Sequence, residues 1–136
     1  MSARLDFRDA VVERFASVFG NRQDCRAMYE NGPKLDMNHL TVPVVACEIV
    51  YYGSRQAEFA ENPATRDDGE ILITVLVKDM GGSRAAYALR DEASGLFQRS
   101  SLGGAVLHTA SIIQNSSSVA GWMGYRAAIP FWHYHD

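Results

Sequence analysis

The sequence predicts an α+β domain: an antiparallel sheet of four or five strands with two helices packed on one face, in the order α-(β)-β-β-α-β-β. Two stretches with apolar residues every three or four positions predict the helices. Three runs of alternating, β-branched residues predict the sheet. A chain of 136 residues, 47% hydrophobic and 21% charged, has the apolar material for one core and is not globally disordered, so residues 1–136 are taken as one domain.

The first helix spans about Asp6 to Phe19. Phe7, Val11, Phe15 and Val18 form its apolar stripe, Asp6 can cap its start, and Gly20-Asn21 ends it. Cys25 to Tyr29 can form a short strand, and Asn31-Gly32-Pro33 opens a loop that lasts to Thr41. Val44 to Tyr52 is a strand with Val45, Cys47, Ile49 and Tyr51 on one face. Ile71 to Lys78 is the next, with Ile71, Ile73, Val75 and Val77 on one face. The connection between them is long for neighbouring strands and is expected to protrude as a hairpin arm at about 53–69. Ser83 can cap a second helix whose stripe is Ala85, Leu89, Ala93 and Leu96 and which runs to about Arg99. Ala105 to Ile113 is a strand, Gln114 to Ser118 a polar loop, and Trp122 to Trp132 the last strand. Pro130 lacks an N–H, so it places that strand at a sheet edge or ends its pairing.

Several function classes are disfavoured by the residues themselves. The formal charge of −3 gives no general attraction to nucleic acid or an anionic membrane. The N-terminal stretch is charged at Arg4, Asp6, Arg8 and Asp9 and lacks the apolar run of a signal peptide, and no segment is apolar for long enough to cross a membrane. The chain is expected to be made in a reducing cytoplasm, with Cys25 and Cys47 free.

Chemistry is equally sparse. His133 and His135 would share one side of a strand beside Asp136, but a closed metal site needs three or four ligands, and the bland alternative is a polar tail that frays. Gly81-Gly82-Ser83-Arg84 lacks the spacing of a phosphate-binding loop, and there is no nucleophile elbow. Asp67-Asp68 and Asp91-Glu92 fit solvated surface. We therefore expect no catalytic residue, no metal and no cofactor. The 11 Arg against 2 Lys fit either desolvated interface pairing or the base composition of a genome.

Layout supplies what motifs do not. The chain carries Tyr29-Glu30-Asn31-Gly32-Pro33, then Val42-Pro43-Val44-Val45, then a long hairpin leading to Gly69-Glu70-Ile71-Leu72-Ile73-Thr74-Val75. Gly81-Gly82-Ser83-Arg84-Ala85-Ala86 starts the second helix, and Gly121-Trp122-Met123-Gly124-Tyr125-Arg126-Ala127-Ala128-Ile129-Pro130-Phe131-Trp132 closes the pattern. In this order the sequence resembles the tail terminator proteins of long-tailed bacteriophages over nearly its whole length. The resemblance implies a homohexameric ring that caps the tail tube, ends its polymerisation and joins tail to head. The implied partners are the tail tube protein, a head-completion or connector protein, and phage DNA passing through the lumen. The protein would be located in the virion, at the head-proximal end of the tail.

On that reading the arm and the last strand supply subunit contacts, through Arg55, Ala57, Phe59, Arg126, Phe131 and Trp132. Asp67, Asp68, Glu70 and Asp79, taken as turn residues, are the candidates for the lumen or ring face. A ring of six would carry a formal charge near six times −3, or −18, which suits a lumen that lets DNA pass. Two alternatives stay open: another phage ring component, such as a tube or neck protein, and a small ligand-binding domain with a cleft lined by Tyr51, Tyr52 and Trp122.

Overall fold

Side-chain alternation along three long strands sets the frame of the protein. The computed structural model describes residues 3–30, 40–56, 65–78, 83–119 and 121–135. The elements are α1 (Ala3–Phe19), β1 (Arg26–Tyr29), β2 (Val44–Gln56), β3 (Thr65–Lys78), α2 (Arg84–Gly95), β4 (Ser100–Leu102), β5 (Ala105–Leu107), β6 (Ser111–Val119) and β7 (Trp122–His135). The strands form one sheet in the order β1-β2-β3-β7-β5-β4, and β6 also pairs with β7.

The predicted core faces meet as the alternation requires. Val45 lies opposite Val75, Cys47 opposite Ile73, and Ile49 opposite Ile71. Ile71 in turn faces Ile129, and Ile73 faces Ala127. Both helices cover this one face. Phe7, Val11, Phe15 and Phe19 of α1 and Ala86, Leu89 and Ala93 of α2 are buried in the same cluster as those strand residues. Each large apolar side chain removed from water contributes about 1.5–3 kcal/mol. On the other face, Val44, Leu76 and Trp122 bury together at one end against Met28 and Leu40.

Several expectations need correction. The sheet has seven strands rather than four or five, and β1 pairs with β2 in parallel, so the sheet is mixed. The extra strands are short or polar. Ser100 and Ser101 look like turn residues but pair as β4 with Val106 and Leu107. The expected 105–113 strand is two strands, β5 and β6, and β6 continues through the stretch expected to be a loop. An edge strand half in water needs no apolar alternation, so Gln114 to Ser118 gave no strand signal. Helix α1 starts one turn before Asp6. Helix α2 stops at Gly95, and the chain turns through Arg99, whose φ of 56° is left-handed.

Pro130 is not on an edge strand. Strand β7 is central, flanked by β3 on one side and by β6 and β5 on the other. Pro130 falls where β6 gives way to β5, and its carbonyl accepts from His108 N–H at 2.9 Å. Its ring nitrogen faces the same side, so the missing N–H coincides with the gap between the two partners.

Candidate functional site

Strands β2 and β3 extend into the base of the 53–69 connection. Pairing between β2 and β3 continues through Gly53 opposite Asp68, Ser54 opposite Asp67, and Arg55 opposite Arg66 to Gln56 opposite Thr65. Ala57 and Phe59 of the arm, Asp79, Gly81, Gly82, Asp136 and the loop residues 31–39 lie outside the described residues. Strand β7 runs to His135 alongside the base of the arm, with Asp67 opposite His133, Asp68 opposite Trp132 and Gly69 opposite Phe131. The structure therefore gathers Arg55, Asp67, Asp68, Glu70, Phe131 and Trp132 at one end of the sheet. Arg126 stands apart, half-buried opposite Thr74 and Ile113.

Strand alternation divides this end into two faces. On the helix side Asp67 is wholly buried and accepts two bonds from the Arg4 guanidinium, at 2.8 and 2.9 Å. That ion pair ties the first turn of α1 to the base of the arm, and it raises the Arg4 pKa from its ordinary value. His133 is buried beside them, with Nδ1 3.9 Å from the Asp67 carboxylate and Nε2 3.2 Å from the Tyr51 hydroxyl. Phe7 packs on Phe131 with ring centroids 4.6 Å apart, and Phe131 stacks parallel to His133. Burial, then the nearby Asp67 charge, pushes the Tyr51 phenol up to about 12.

The open face carries Arg66, Asp68, Glu70, Pro130, Trp132 and Tyr134. Arg66 donates to Asp68 at 2.8 Å while its guanidinium lies over the Trp132 ring, 5.1 Å from the centroid. Tyr134 packs edge-on against Trp132. Strand β2 bulges here, because Tyr51 opposes Gly69 but Gly53 opposes Asp68, leaving Tyr52 as the extra residue. Tyr52 stands in solvent with its hydroxyl bonded to Glu70, and that bond leads the rise of its pKa to about 12.

Some site residues are therefore placed differently from the sequence expectation. Asp67, Asp68 and Glu70 are strand residues rather than turn residues, and Asp67 is an internal ion-pair partner, not an accessible acid. Phe131 belongs to the core, whereas Trp132 is half-exposed on the open face. His133 is buried between aromatic rings and does not fray. The alternative cleft between Tyr51, Tyr52 and Trp122 does not form. Trp122 lies opposite Lys78 and Tyr51 opposite Gly69, nine residues apart along β3, or roughly 30 Å at strand rise. Several arginines are engaged within the chain: Arg4 with Asp67, Arg22 with Asp24 and Glu92, Arg66 with Asp68, and Arg14 with the Leu96 carbonyl.

The Arg4–Asp67–His133–Tyr51 group escapes a reading of the sequence because its members are far apart in the chain. One signal was present: His133 continues the Ala127, Ile129, Phe131 alternation and so belongs to the core face. Among the described residues no cluster of three or more His, Cys, Asp and Glu side chains could hold a metal ion, and no helix is long and apolar enough to cross a membrane.

No known protein family matches the chain, and no curated protein does. Solved structures do. A chain from the virion of a native gene transfer agent particle superposes with a TM-score of 0.58 at 13% identity, covering 98% of each chain. A second solved protein, which carries no descriptive name, superposes with a TM-score of 0.68 at 15% identity, over 100% of this chain and 97% of that one. At these identities the similarity establishes a shared fold from end to end.

Proposed function

We propose that this protein is a virion structural component that forms a closed ring on the end of a tail tube, stops its polymerisation and joins tail to head. The observation that carries the reading is the end-to-end fold similarity to a chain of a virion, over 98% of both chains. The layout that resembles phage tail terminators supports it. The described residues include a buried acid, Asp67, but Arg4 already neutralises it; we propose no enzymatic role.

In this proposal the partners are further copies of the chain, six to a ring as the terminator layout implies, together with the tube protein and a head-side connector. DNA passes through the lumen without specific binding. Of the acids expected there, Asp79 and, on the open sheet face, Asp68 and Glu70 remain candidates, and Asp67 is withdrawn. The arm and Trp132 are proposed at subunit contacts, and Phe131 supports them from inside.

The test is the mass of the purified assembly together with negative-stain images. Closed single rings of fixed mass are expected, and they should shorten tubes when added to polymerising tube protein. The virion similarity does not distinguish one ring component from another, so the second reading is a tube or neck component. Open-ended tubes formed by this chain alone would favour that reading. A protein that stays monomeric inside an intact particle would overturn both.

A further inference from the structure

We infer that the ring is closed by strand addition, with the outer edge of β6 in one subunit pairing antiparallel with the exposed edge of β2 in the next. The inference rests on the ring reading above and names the contact that builds it.

Besides the outer sides of the short terminal strands β1 and β4, two longer strands have an unpaired side among the described residues. Strand β1 covers β2 only over Val44–Cys47, so from Glu48 onward no described strand pairs with that side. Strand β6 pairs with β7 alone, and no described strand lies along its other side. The phase of each ladder fixes which backbone groups point outward. Arg26 N–H donates to the Pro43 carbonyl, so odd-numbered residues of β2 face β1, and beyond the end of β1 the N–H and C=O of Ile49 and Tyr51 point out of the sheet. On the other edge His108 N–H donates to the Pro130 carbonyl, so even-numbered residues of β7 face β6. Ser111 and Ile113 then bond inward to Ala128 and Arg126, and Ile112 presents its N–H and C=O outward.

The same two edges carry apolar side chains in water. Tyr51, Tyr52 and Ile112 are 39%, 66% and 61% exposed. Single exposed apolar residues are ordinary, but on an unpaired strand edge they mark a place where another strand can add. Proteins usually blunt such edges with Lys or Pro, and 48–53 and 111–113 contain neither.

Strand sense makes a second copy the fitting occupant. Strands β2 and β7 run one way and β3 and β6 the other. Rotation about a ring axis preserves the sense of every strand relative to that axis. The β6 edge of one subunit therefore meets the β2 edge of its neighbour antiparallel, the better-bonded arrangement. Because the two edges lie on opposite sides of the sheet, the joint is head-to-tail and repeats until rotation closes it. Each edge also has a built-in limit. Strand β2 bulges after Tyr51 and β6 loses regular register after Ile113. The ladder is confined to about 48–51 against 111–113, too short to hold two copies firmly but repeated at every joint of the ring.

Hydrogen exchange on the assembled full-length protein, read against the same protein diluted to monomer, tests this. Amide protection is expected to rise at least tenfold at Ile49, Tyr51 and Ile112 on assembly. Ile112→Pro removes an N–H that no described strand uses, and it should abolish the ring with circular dichroism unchanged. Ile112→Thr keeps that N–H and the strand preference and should keep the ring. If Ile112→Pro does not fold, the exchange data decide alone. A ring whose three amides exchange as in the monomer, or protection that appears only when tube protein is added, overturns the strand-addition inference and leaves the ring reading standing. Absence of any ring at high protein concentration overturns the ring reading itself, and this inference with it.

Discussion

The bulge at the base of the arm offers a controlled experiment in which one substitution at two neighbouring sites should have opposite effects. Gly69 sits against β2 with no room for a side chain. A Cβ there would lie 2.9 Å from Phe131 Cζ and 3.1 Å from Tyr51 Cα, with the Val50 carbonyl closer still. Two of those neighbours are backbone of a paired strand, and the third is a buried ring packed on Phe7. None is the free end of a flexible chain, so Gly69→Ala forces the strands apart or turns the ring. Overpacking of this kind costs about 1–3 kcal/mol. For a chain of this size each kcal/mol lowers the melting temperature by roughly 4 °C, so the expected fall is roughly 4–12 °C. Gly53, two positions past Tyr51 in the same bulge, has nothing within 4 Å of where a Cβ would sit and no left-handed φ. Gly53→Ala should be neutral or stabilising by up to about 1 kcal/mol, because it restricts the unfolded chain. Urea unfolding of the two variants beside the parent, at a concentration where all are monomeric, measures both. A Gly69→Ala variant as stable as the parent, or a Gly53→Ala variant that loses as much, would refute the packing argument.

Three further outcomes are expected. Burial pushes the Cys47 thiol up to about 12, so iodoacetamide at pH 8 should modify Cys47 only as fast as the chain unfolds; rapid labelling with intact circular dichroism would contradict this. Cys47 and Tyr51 both have folded pKa values raised to about 12, above their ordinary values of 9.0 and 10.0. The stability they contribute is therefore complete below about pH 9 and falls as pH rises toward 12, and Tyr51→Phe should flatten the part of that fall above pH 10 in a series of melts. Replacing Arg4 with Met leaves the buried Asp67 carboxylate without its bidentate partner, so Arg4→Met should destabilise the protein, and adding Asp67→Asn should recover part of the loss; strictly additive effects in denaturant titrations would show that the pair does not act as a unit.

The helices and the three long strands were legible in the sequence because burial on one face leaves a periodic trace. Phe7, Val11 and Phe15 announced α1, and Ile71, Ile73 and Val75 announced β3 with the correct face inward. Strand β4 and the part of β6 beyond Ile113 left no such trace, since Ser100-Ser101 and Gln114 to Ser118 offer no apolar face. Pro130 misled because the rule about edge strands concerns a missing N–H, and β7 satisfies that rule at a change of partner instead. At the candidate site, the arm and the last strand were named separately as contact segments; that the base of the arm lies beside β7 follows from the β3–β7 pairing, which the sequence did not show. What sequence could not show is burial of Asp67, because its partner Arg4 is 63 positions away and only the tertiary fold brings a cation to it.

The central place of β7 has a consequence for timing. Every other described strand precedes it in the chain, yet β3, β5 and β6 all pair with it, and β6 pairs with no other described strand. While the chain is being synthesised, β2 and β3 can form their hairpin, but β6 has no strand to lie against until β7 has left the ribosome. Of the two edges proposed to join subunits, the β6 edge is thus built last, and an unfinished chain can offer a neighbour only the β2 edge.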